Sequence, residues 1–157
     1  MSITVRTANR NELERVNELR KMVNEIHVNG RPDVFRQGFC DELMQHAYDK
    51  YDAENSDVLV AIMDSIICGF AIVDYIEKPQ SPYNNSRKFY HVEEFGVDEN
   101  VRKKGVATAL IAFMKEDALR LGYKKIELDM WEFNDGALSF YEKVGFRTYR
   151  RYIDMDL

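Results

Sequence analysis

Arg102-Lys103-Lys104-Gly105-Val106-Ala107 connects a strand-like run, residues 90–97, to an amphipathic helix that begins at Gly105. The first turn of a helix has backbone N–H groups without intrahelical partners, and a glycine there allows a ligand to approach the backbone closely. Arg102 adds a fixed positive charge, while Gly105 and Ala107 leave room that larger side chains would fill. This junction therefore predicts a binding site for a cofactor that carries phosphates.

The hexapeptide by itself is equally consistent with a basic turn that caps an ordinary helix, but its context favours the cofactor site. A second strand is predicted for residues 125–131. It is followed by Glu132-Phe133-Asn134-Asp135-Gly136-Ala137 and then, in a short helix, by Ser139-Phe140-Tyr141-Glu142-Lys143-Val144-Gly145-Phe146. The two motifs, in this order, resemble the GNAT superfamily of acetyl-CoA-dependent N-acetyltransferases. The resemblance extends from Phe89 to the C-terminus, and the first half of the chain agrees only in the order of its elements.

The resemblance implies positions for acetyl-CoA as co-substrate. In the superfamily an R/Q-x-x-G-x-G/A loop holds the diphosphate, and here Ala107 occupies the last position. The superfamily run N-x-x-A-x-x-F-Y-x-K-x-G-F is matched from Asn134 to Phe146. The residues implied to contact the cofactor are Phe95, Gly96, Val97, Arg102, Lys103, Lys104, Gly105, Val106, Ala107, Thr108, Asn134, Ala137, Tyr141 and Lys143.

The expected fold is α/β, a GNAT fold in one domain that spans residues 1–157. The predicted strands are 3–6, 57–63, 66–76, 89–97, 125–131 and 146–156. The first predicted helix begins at Asn9 or Asn11 and ends at Gly30, and the other predicted helices are 41–51, 105–122 and 135–144. The unit 89–131 requires a parallel strand pair, because a crossover helix separates its strands. The resemblance implies a mixed sheet of about six to seven strands, flanked by about four helices, with the parallel strands splayed into a cofactor cleft.

Composition limits the classes of function. The chain has 157 residues, of which 45% are hydrophobic and 31% charged. It has no apolar run near the ~20 residues that a membrane span needs. No signal peptide is recognisable, so we expect a cytoplasmic protein without a membrane partner. The net charge of −5 argues against nucleic-acid binding and mildly favours cationic small molecules as substrates, while a homodimer stays open.

The cysteines and histidines form no metal or redox pattern. Cys40 and Cys68 lack a ligand-like spacing, and Cys68 lies in an apolar strand where burial is the better interpretation. His27, His46 and His91 are scattered in the same way. We therefore expect no metal site.

Acetyl transfer from a thioester to an amine requires a neutral amine, a donor for the developing oxyanion and a proton for the departing thiolate. Glu93 and Glu94 are candidates for the base that takes the proton of the amine. Since neighbours on a strand face opposite ways, only one of them is expected to face the cleft, and the register of the superfamily favours Glu93. Both carboxylates could instead be solvated strand charges or salt-bridge partners.

Backbone N–H groups near Phe95 to Val97 are implied to stabilise the oxyanion, because superfamily members carry a β-bulge there. Gly96 fits a bulge, although a strand glycine can also be a packing choice. Tyr141 corresponds to the general acid of the superfamily, which gives its phenolic proton to the thiolate; without the resemblance it would be interpreted as a core aromatic residue. Asn134 is implied to bind the pantetheine or to cap the following helix.

These residues predict transfer of an acetyl group from acetyl-CoA to a primary amine of a small molecule or peptide, by direct attack. A non-catalytic protein that binds acyl-CoA, or uses the fold as a scaffold, is the alternative from another class. Acetylation of a protein N-terminus or a lysine is the alternative acceptor within the enzyme class. The presence of Arg102, Gly105, Ala107, Asn134 and Tyr141 favours catalysis, since a scaffold needs none of them.

Overall fold

The computed structural model describes residues 2–157, and its elements follow the predicted order as far as the last helix. Within that range the strands are β1 (Ile3–Thr7), β2 (Ser56–Met63), β3 (Ile66–Lys78), β4 (Arg87–Val97) and β5 (Ile126–Leu128). The α-helices are α1 (Leu13–Gly30), α2 (Asp41–Asp52), α3 (Val106–Arg120) and α4 (Asp135–Lys143).

The strands form one mixed sheet in the order β1-β2-β3-β4-β5. Neighbours from β1 to β4 pair antiparallel, whereas β4 and β5 pair in parallel with α3 as the crossover. The parallel pair predicted for residues 89–131 is thus confirmed. The pairing is short, because it extends only from Tyr90 to Val92 on β4.

The β2–β3 hairpin turns where the sequence predicts it. Its two-residue loop, Asp64 and Ser65, has φ values of 52° and 65°, which fits a type I′ turn. Aspartate adopts a left-handed backbone more readily than most residues, because its short side chain can hydrogen-bond locally. The junction therefore forms without a glycine.

Helices cover both faces of the sheet. On the α1 face, α1 and α2 enclose a core that includes Leu13, Leu19 and Phe70. On the α3 face, the core includes Tyr90 and Leu110. The central strands are therefore buried on both sides, and side chains of β4 reach both faces. A membrane crossing would need a longer and more apolar helix than any that the described residues form.

Two expectations about the sheet are wrong. The described residues form five strands rather than six to seven, and the strand predicted over 146–156 is not among them. In that segment Tyr152, Ile153 and Met155 are 83%, 94% and 83% exposed. A segment becomes a strand only where a neighbour pairs with its backbone, and the described residues supply no such partner here.

Strand β4 contains a β-bulge at Glu93. Opposite it on β3, Ile72 pairs with Glu94 and Val73 pairs with Val92, so that Glu93 is the extra residue. An extra residue reverses the alternation of side chains beyond it. Glu93 and Glu94 therefore both contact groups on the α1 face, and the expectation that only one of them would face this side is wrong.

Gly96 is a packing glycine and not the bulge residue. It pairs in register with Phe70 of β3. A Cβ on Gly96 would lie 2.5 Å from Val23 Cγ2 and 2.8 Å from Phe70 Cε1. The absence of a side chain thus lets α1 and Phe70 approach the strand closely, and the bulge expected over residues 95–97 lies at Glu93 instead.

Candidate active site

A cleft opens in the sheet where β4 and β5 separate. Their pairing ends at Val92 and Leu128, whereas β4 continues to Val97. Beyond the bulge, the described residues give β4 a partner on its β3 side alone, so the main-chain groups on its other edge are free to bind a ligand. The implied cofactor residues 95–97 lie along this edge.

The N-terminus of α3 follows this edge after a single 3-10 turn. Gly105 is the N-cap with a left-handed backbone (φ 89°), and Lys103 also has a positive φ (67°). Across the described residues, no backbone N–H from Arg102 to Thr108 donates a hydrogen bond to the protein. A Cβ on Gly105 would have one neighbour within 4 Å, Ile3 Cδ1 at 3.9 Å. The loop is therefore an open array of donors that suits a diphosphate.

The side chains of this loop differ in exposure. Arg102, Lys103 and Lys104 are exposed around the free N–H groups and add positive charge. Val106 is buried in the core of the α3 face, so it can contact a ligand only through its backbone. Ala107 is partly buried, and its small side chain keeps the first turn of the helix accessible.

Two carboxylates of the bulge meet α1 and α2. Glu93 Oε1 lies 2.7 Å from His46 Nε2, and Glu94 Oε2 lies 3.8 Å from the same nitrogen. Arg20, which is 4% exposed, donates from Nε to Glu94 Oε1 at 3.0 Å and from Nη2 to Glu94 Oε2 at 3.1 Å. Lys50 Nζ lies 3.1 Å from Glu93 Oε2. The bulge thus assembles two carboxylates, one imidazole and two cations.

Lys50 links this cluster to Asp74 of β3. Glu93 Oε2 is buried and receives no aligned hydrogen bond from the described residues, although the Lys50 ammonium is near enough for an ion pair. Lys50 Nζ donates to Asp74 Oδ1 at 2.8 Å. Desolvation would lower the pKa of Lys50, but its contacts with Asp74 and Glu93 outweigh that effect and raise the pKa. Burial would raise the pKa of Asp74, and hydrogen bonds from Lys50 and Ser56 lower it.

Sequence reasoning missed His46, because 47 residues separate it from Glu93 and no local spacing connects them. His46, Glu93 and Glu94 each place a ligand atom within 4.8 Å of the others, which is a spacing that a metal ion could use. However, Arg20 and Lys50 already bring positive charge to both carboxylates. A divalent cation would therefore meet repulsion from two neighbouring cations.

Tyr141 lies on α4, at the opposite face of β4. The centroid of its ring is 6.2 Å from that of Phe95, 5.7 Å from that of Phe140 and 5.6 Å from that of Phe146. Burial raises the pKa of Tyr141 to about 12, and no hydrogen bond from the described residues contributes to this shift. The hydroxyl therefore keeps its proton at neutral pH and is free to bond to a ligand.

Asn134 caps α4, since its Oδ1 accepts a hydrogen bond from the Ala137 N–H at 3.3 Å. The capping role that the sequence predicts is therefore observed, while contact with a pantetheine stays a prediction. Because the cap uses the Ala137 N–H, Ala137 can offer a cofactor only its methyl group or carbonyl. Lys143 is exposed in the last turn of the same helix.

An aromatic cluster joins the end of α1 to the segment after β5, and the sequence did not reveal it. The Phe35 ring lies 5.2 Å from the rings of both His27 and Trp131, and the Phe133 ring lies 6.5 Å from that of Trp131. The Arg31 guanidinium lies 5.4 Å from the Trp131 ring centroid. Burial lowers the pKa of His27, so this imidazole is neutral near pH 7. Trp131 is thus half-buried among aromatic groups rather than in the core.

The structure distributes the predicted chemical groups over both faces of β4. Glu93 and Glu94 lie on the α1 face with His46, and Tyr141 lies on the opposite face beside Phe95. The unpaired edge of β4 runs between them towards the donor loop of α3. A proton acceptor and a proton donor therefore flank one strand edge that can bind an extended ligand.

Known proteins share this architecture. A mutant of the BH1408 protein from Bacillus halodurans superposes with a TM-score of 0.93 at 26% identity, covering 98% of this chain and 99% of that one. The aminoglycoside N-acetyltransferase AAC(6')-Iy, solved in complex with CoA, superposes with a TM-score of 0.76 at 21% identity, covering 99% of this chain and 95% of that one. At that identity the second likeness concerns the fold alone.

Comparison of the amino-acid sequence with known proteins identifies the family as well as the fold. A glucosamine 6-phosphate N-acetyltransferase of Trypanosoma brucei brucei is 37% identical over 67 residues, which are 43% of this chain and 44% of that protein. The match therefore spans less than half of that relative. The model of the acetyltransferase (GNAT) family matches residues 33–146, which include the bulge, the donor loop and Tyr141. With most of its length matched, the chain belongs to the acetyltransferase (GNAT) family.

Proposed function

We propose that the protein transfers an acetyl group from acetyl-CoA to a primary amine of a small molecule or peptide by direct attack. The observation that carries the proposal is the row of free N–H groups from Arg102 to Thr108, directly after the unpaired edge of β4. A diphosphate followed by an extended amide-containing arm matches this order of donors. The relatives that acetylate glucosamine 6-phosphate and aminoglycosides support an amine acceptor.

Acetyl-CoA supplies the acetyl thioester, and the residues of this chain bind it and move protons. The donor loop and the Arg102 side chain hold the diphosphate. The free edge at residues 95–97 bonds to the pantetheine and to the oxygen that gains charge. Tyr141 holds a proton for the departing sulfur, since its pKa of about 12 keeps it protonated.

The amine end of the site lies on the α1 face of β4. Glu93 and Glu94 attract an ammonium group to this side, and the aromatic cluster at Trp131 offers it apolar walls. The acceptor must lose a proton before it can attack, because an ammonium nitrogen has no lone pair. We assign the uptake of that proton to the cluster that His46 forms with the two carboxylates.

Thiol release from acetyl-CoA, measured against a panel of polyamines, amino sugars, aminoglycosides, amino acids and peptides, tests the proposal. At least one primary amine is expected to raise thiol release well above the rate without acceptor, and the product is identified by mass spectrometry. Binding of acetyl-CoA without transfer to any amine would support the non-catalytic alternative.

The donor loop has a matched control at the other end of α3. Gly105→Val and Gly122→Val both place a β-branched residue at a left-handed position, φ 89° and 87°. We expect Gly105→Val to weaken acetyl-CoA binding at least tenfold in calorimetric titration, because the first turn must rearrange and misalign its N–H groups. Gly122→Val is expected to lose stability but to keep the affinity. Equal affinities in the two variants would contradict the assignment of the loop.

A further inference from the structure

Glu93 of the bulge forms a dyad with His46 of α2, a residue to which the proposed function gives no role of its own. His46 Nε2 and Glu93 Oε1 are 2.7 Å apart. An ionised carboxylate can only accept a hydrogen bond, so Nε2 carries the proton in this pair. Nδ1 is then the basic nitrogen of the neutral ring, and the described residues offer it no hydrogen bond. The His46 side chain is 35% exposed and can be reached by a ligand.

We infer that His46, oriented by Glu93, accepts the proton of the acceptor ammonium. The inference rests on the acetyl transfer proposed above and names the immediate proton acceptor within that site. Glu93 acts through His46 and is a positioning residue, in the way that a carboxylate orients an imidazole in other acid–base sites. The atom that meets the amine, directly or through one water, is His46 Nδ1.

Each oxygen of the two carboxylates already lies against a cation or the imidazole. Both oxygens of Glu94 accept hydrogen bonds from Arg20. Glu93 Oε1 faces His46, and Glu93 Oε2 is buried 3.1 Å from Lys50 Nζ. Imidazoles titrate between about pH 5 and 8 in proteins, so an imidazole suits proton transfer near neutral pH better than a carboxylate does.

Charged groups surround His46 from every element packed near it. They are Glu93 and Glu94 of β4, Arg20 of α1, Lys50 of α2 and, beyond Lys50, Asp74 of β3. The anions and cations alternate, so no single charge dominates the ring.

The proton transfers balance without a further reactant. His46 Nδ1 takes one proton from the ammonium and leaves an amine with a lone pair. As the bond between nitrogen and acetyl carbon forms and the carbon–sulfur bond breaks, Tyr141 gives its proton to the sulfur. The nitrogen, now bonded to the acetyl carbon, gives up a second proton, which restores the Tyr141 hydroxyl directly or through water. His46 releases its proton to solvent. The products are the amide, the thiol and one proton.

His46→Gln is the sharpest variant, because the Gln amide can donate to Glu93 as the imidazole does but cannot take up a proton. We expect kcat/KM at pH 7 to fall about 10²- to 10³-fold and the acid limb of the pH profile, between about pH 5 and 8, to disappear. Glu93→Gln is expected to keep the acid limb, because the imidazole remains, and to lose about tenfold in kcat/KM, because the ring loses the carboxylate that orients it. If His46→Gln keeps the acid limb and a kcat/KM within about threefold of wild type, the inference is overturned.

His91→Gln is the matched control. His91 is also on β4, and its Nδ1 lies 3.5 Å from Asp74 Oδ2, outside the dyad. The control variant is expected to keep both the rate and the acid limb. Thermal melting of each variant confirms folding. Because the dyad is not part of the proposed acetyl-CoA site, the affinity for acetyl-CoA is expected to stay within about twofold of wild type.

Nitrogen NMR of histidine-labelled protein gives a readout that needs no substrate. At pH 8 the spectrum is expected to show His46 with the proton on Nε2, and Glu93→Gln is expected to perturb that resonance while His91→Gln leaves it in place. A proton on Nδ1 in the wild type would overturn the inference whether or not an amine is acetylated. Failure of the wild type to acetylate any amine, with this tautomer present, would instead count against the proposed function.

Discussion

Tyr141→Phe separates a catalytic tyrosine from one that only packs. The substitution keeps the ring among Phe95, Phe140 and Phe146 and removes the hydroxyl. The pKa of this hydroxyl is raised by burial and not by a hydrogen bond. Because the described residues make no hydrogen bond to this hydroxyl, the free energy of unfolding is expected to change by less than about 1 kcal/mol. For a chain of this length, that corresponds to a shift of about 2–4 °C in Tm at most.

The effect on turnover is expected to be much larger. A positioned general acid contributes about 10²- to 10⁴-fold, which is roughly 3–5 kcal/mol of the activation barrier. We expect kcat to fall by that factor while acetyl-CoA affinity stays unchanged. Burial raises the pKa of Tyr141 to about 12, so the hydroxyl stays protonated and contributes no basic limb to the pH profile between pH 7 and 9.

The assay compares kcat, acetyl-CoA affinity and Tm for wild type, Tyr141→Phe and Tyr123→Phe. Tyr123 is a buried tyrosine of the α3-face core, packed against Tyr75 and Tyr90 and remote from the cleft, so its variant is expected to keep full turnover. Turnover of Tyr141→Phe within about threefold of wild type, when chemistry limits the rate, would refute the role of Tyr141 as proton donor.

Three further predictions concern stability and its pH dependence, each followed by urea unfolding. Gly96→Ala is expected to lower the free energy of unfolding by about 1–3 kcal/mol, because its Cβ would overlap side chains of the α1 face. Gly136 has open space around it, so Gly136→Ala should stabilise α4 by up to about 1 kcal/mol. Equal stabilities of the two variants would contradict the packing argument. Arg20→Met is expected to cost about 3 kcal/mol, because it leaves the Glu94 carboxylate without its main partner, and a loss below 1 kcal/mol would show that the pair is not coupled to folding. Burial, with the nearby Asp117 carboxylate, raises the pKa of Tyr90 in the folded protein. Tyr90 therefore contributes stability below the ordinary tyrosine pKa of ~10, and this contribution is lost as pH rises above that value. In Tyr90→Phe the free energy of unfolding should decline less steeply from pH 9.5 to 11, and an unchanged slope would exclude Tyr90 as a source.

Features that depend on consecutive residues could be predicted from the sequence. The helix boundaries follow apolar spacing and caps, and the donor loop follows from Arg102 to Ala107, because its groups belong to one short segment whose backbone conformation is set locally. The hairpin at Asp64 is local in the same sense. These features require only that the chain adopt φ and ψ values that their own residues favour.

Strand 146–156 shows where local pattern is insufficient. Its aromatic and aliphatic residues favour a strand, yet the described segment stays unpaired and, beyond Phe146, exposed. A helix makes its hydrogen bonds within itself, whereas a strand depends on a partner that the segment's own sequence does not specify.

The chemistry at the bulge depended on tertiary structure for the same reason. Whether β4 takes an extra residue at Glu93 depends on its register against β3, and that register turns both carboxylates to the α1 face. His46 then reaches Glu93 from a helix 47 residues away in the chain. The sequence by itself therefore determined the loop of free N–H groups from Arg102 to Thr108, whose donors are neighbours along the backbone. Only the tertiary structure decided that Glu93, Glu94 and His46 meet, because strand register and helix packing, which are properties of the whole sheet, bring them together.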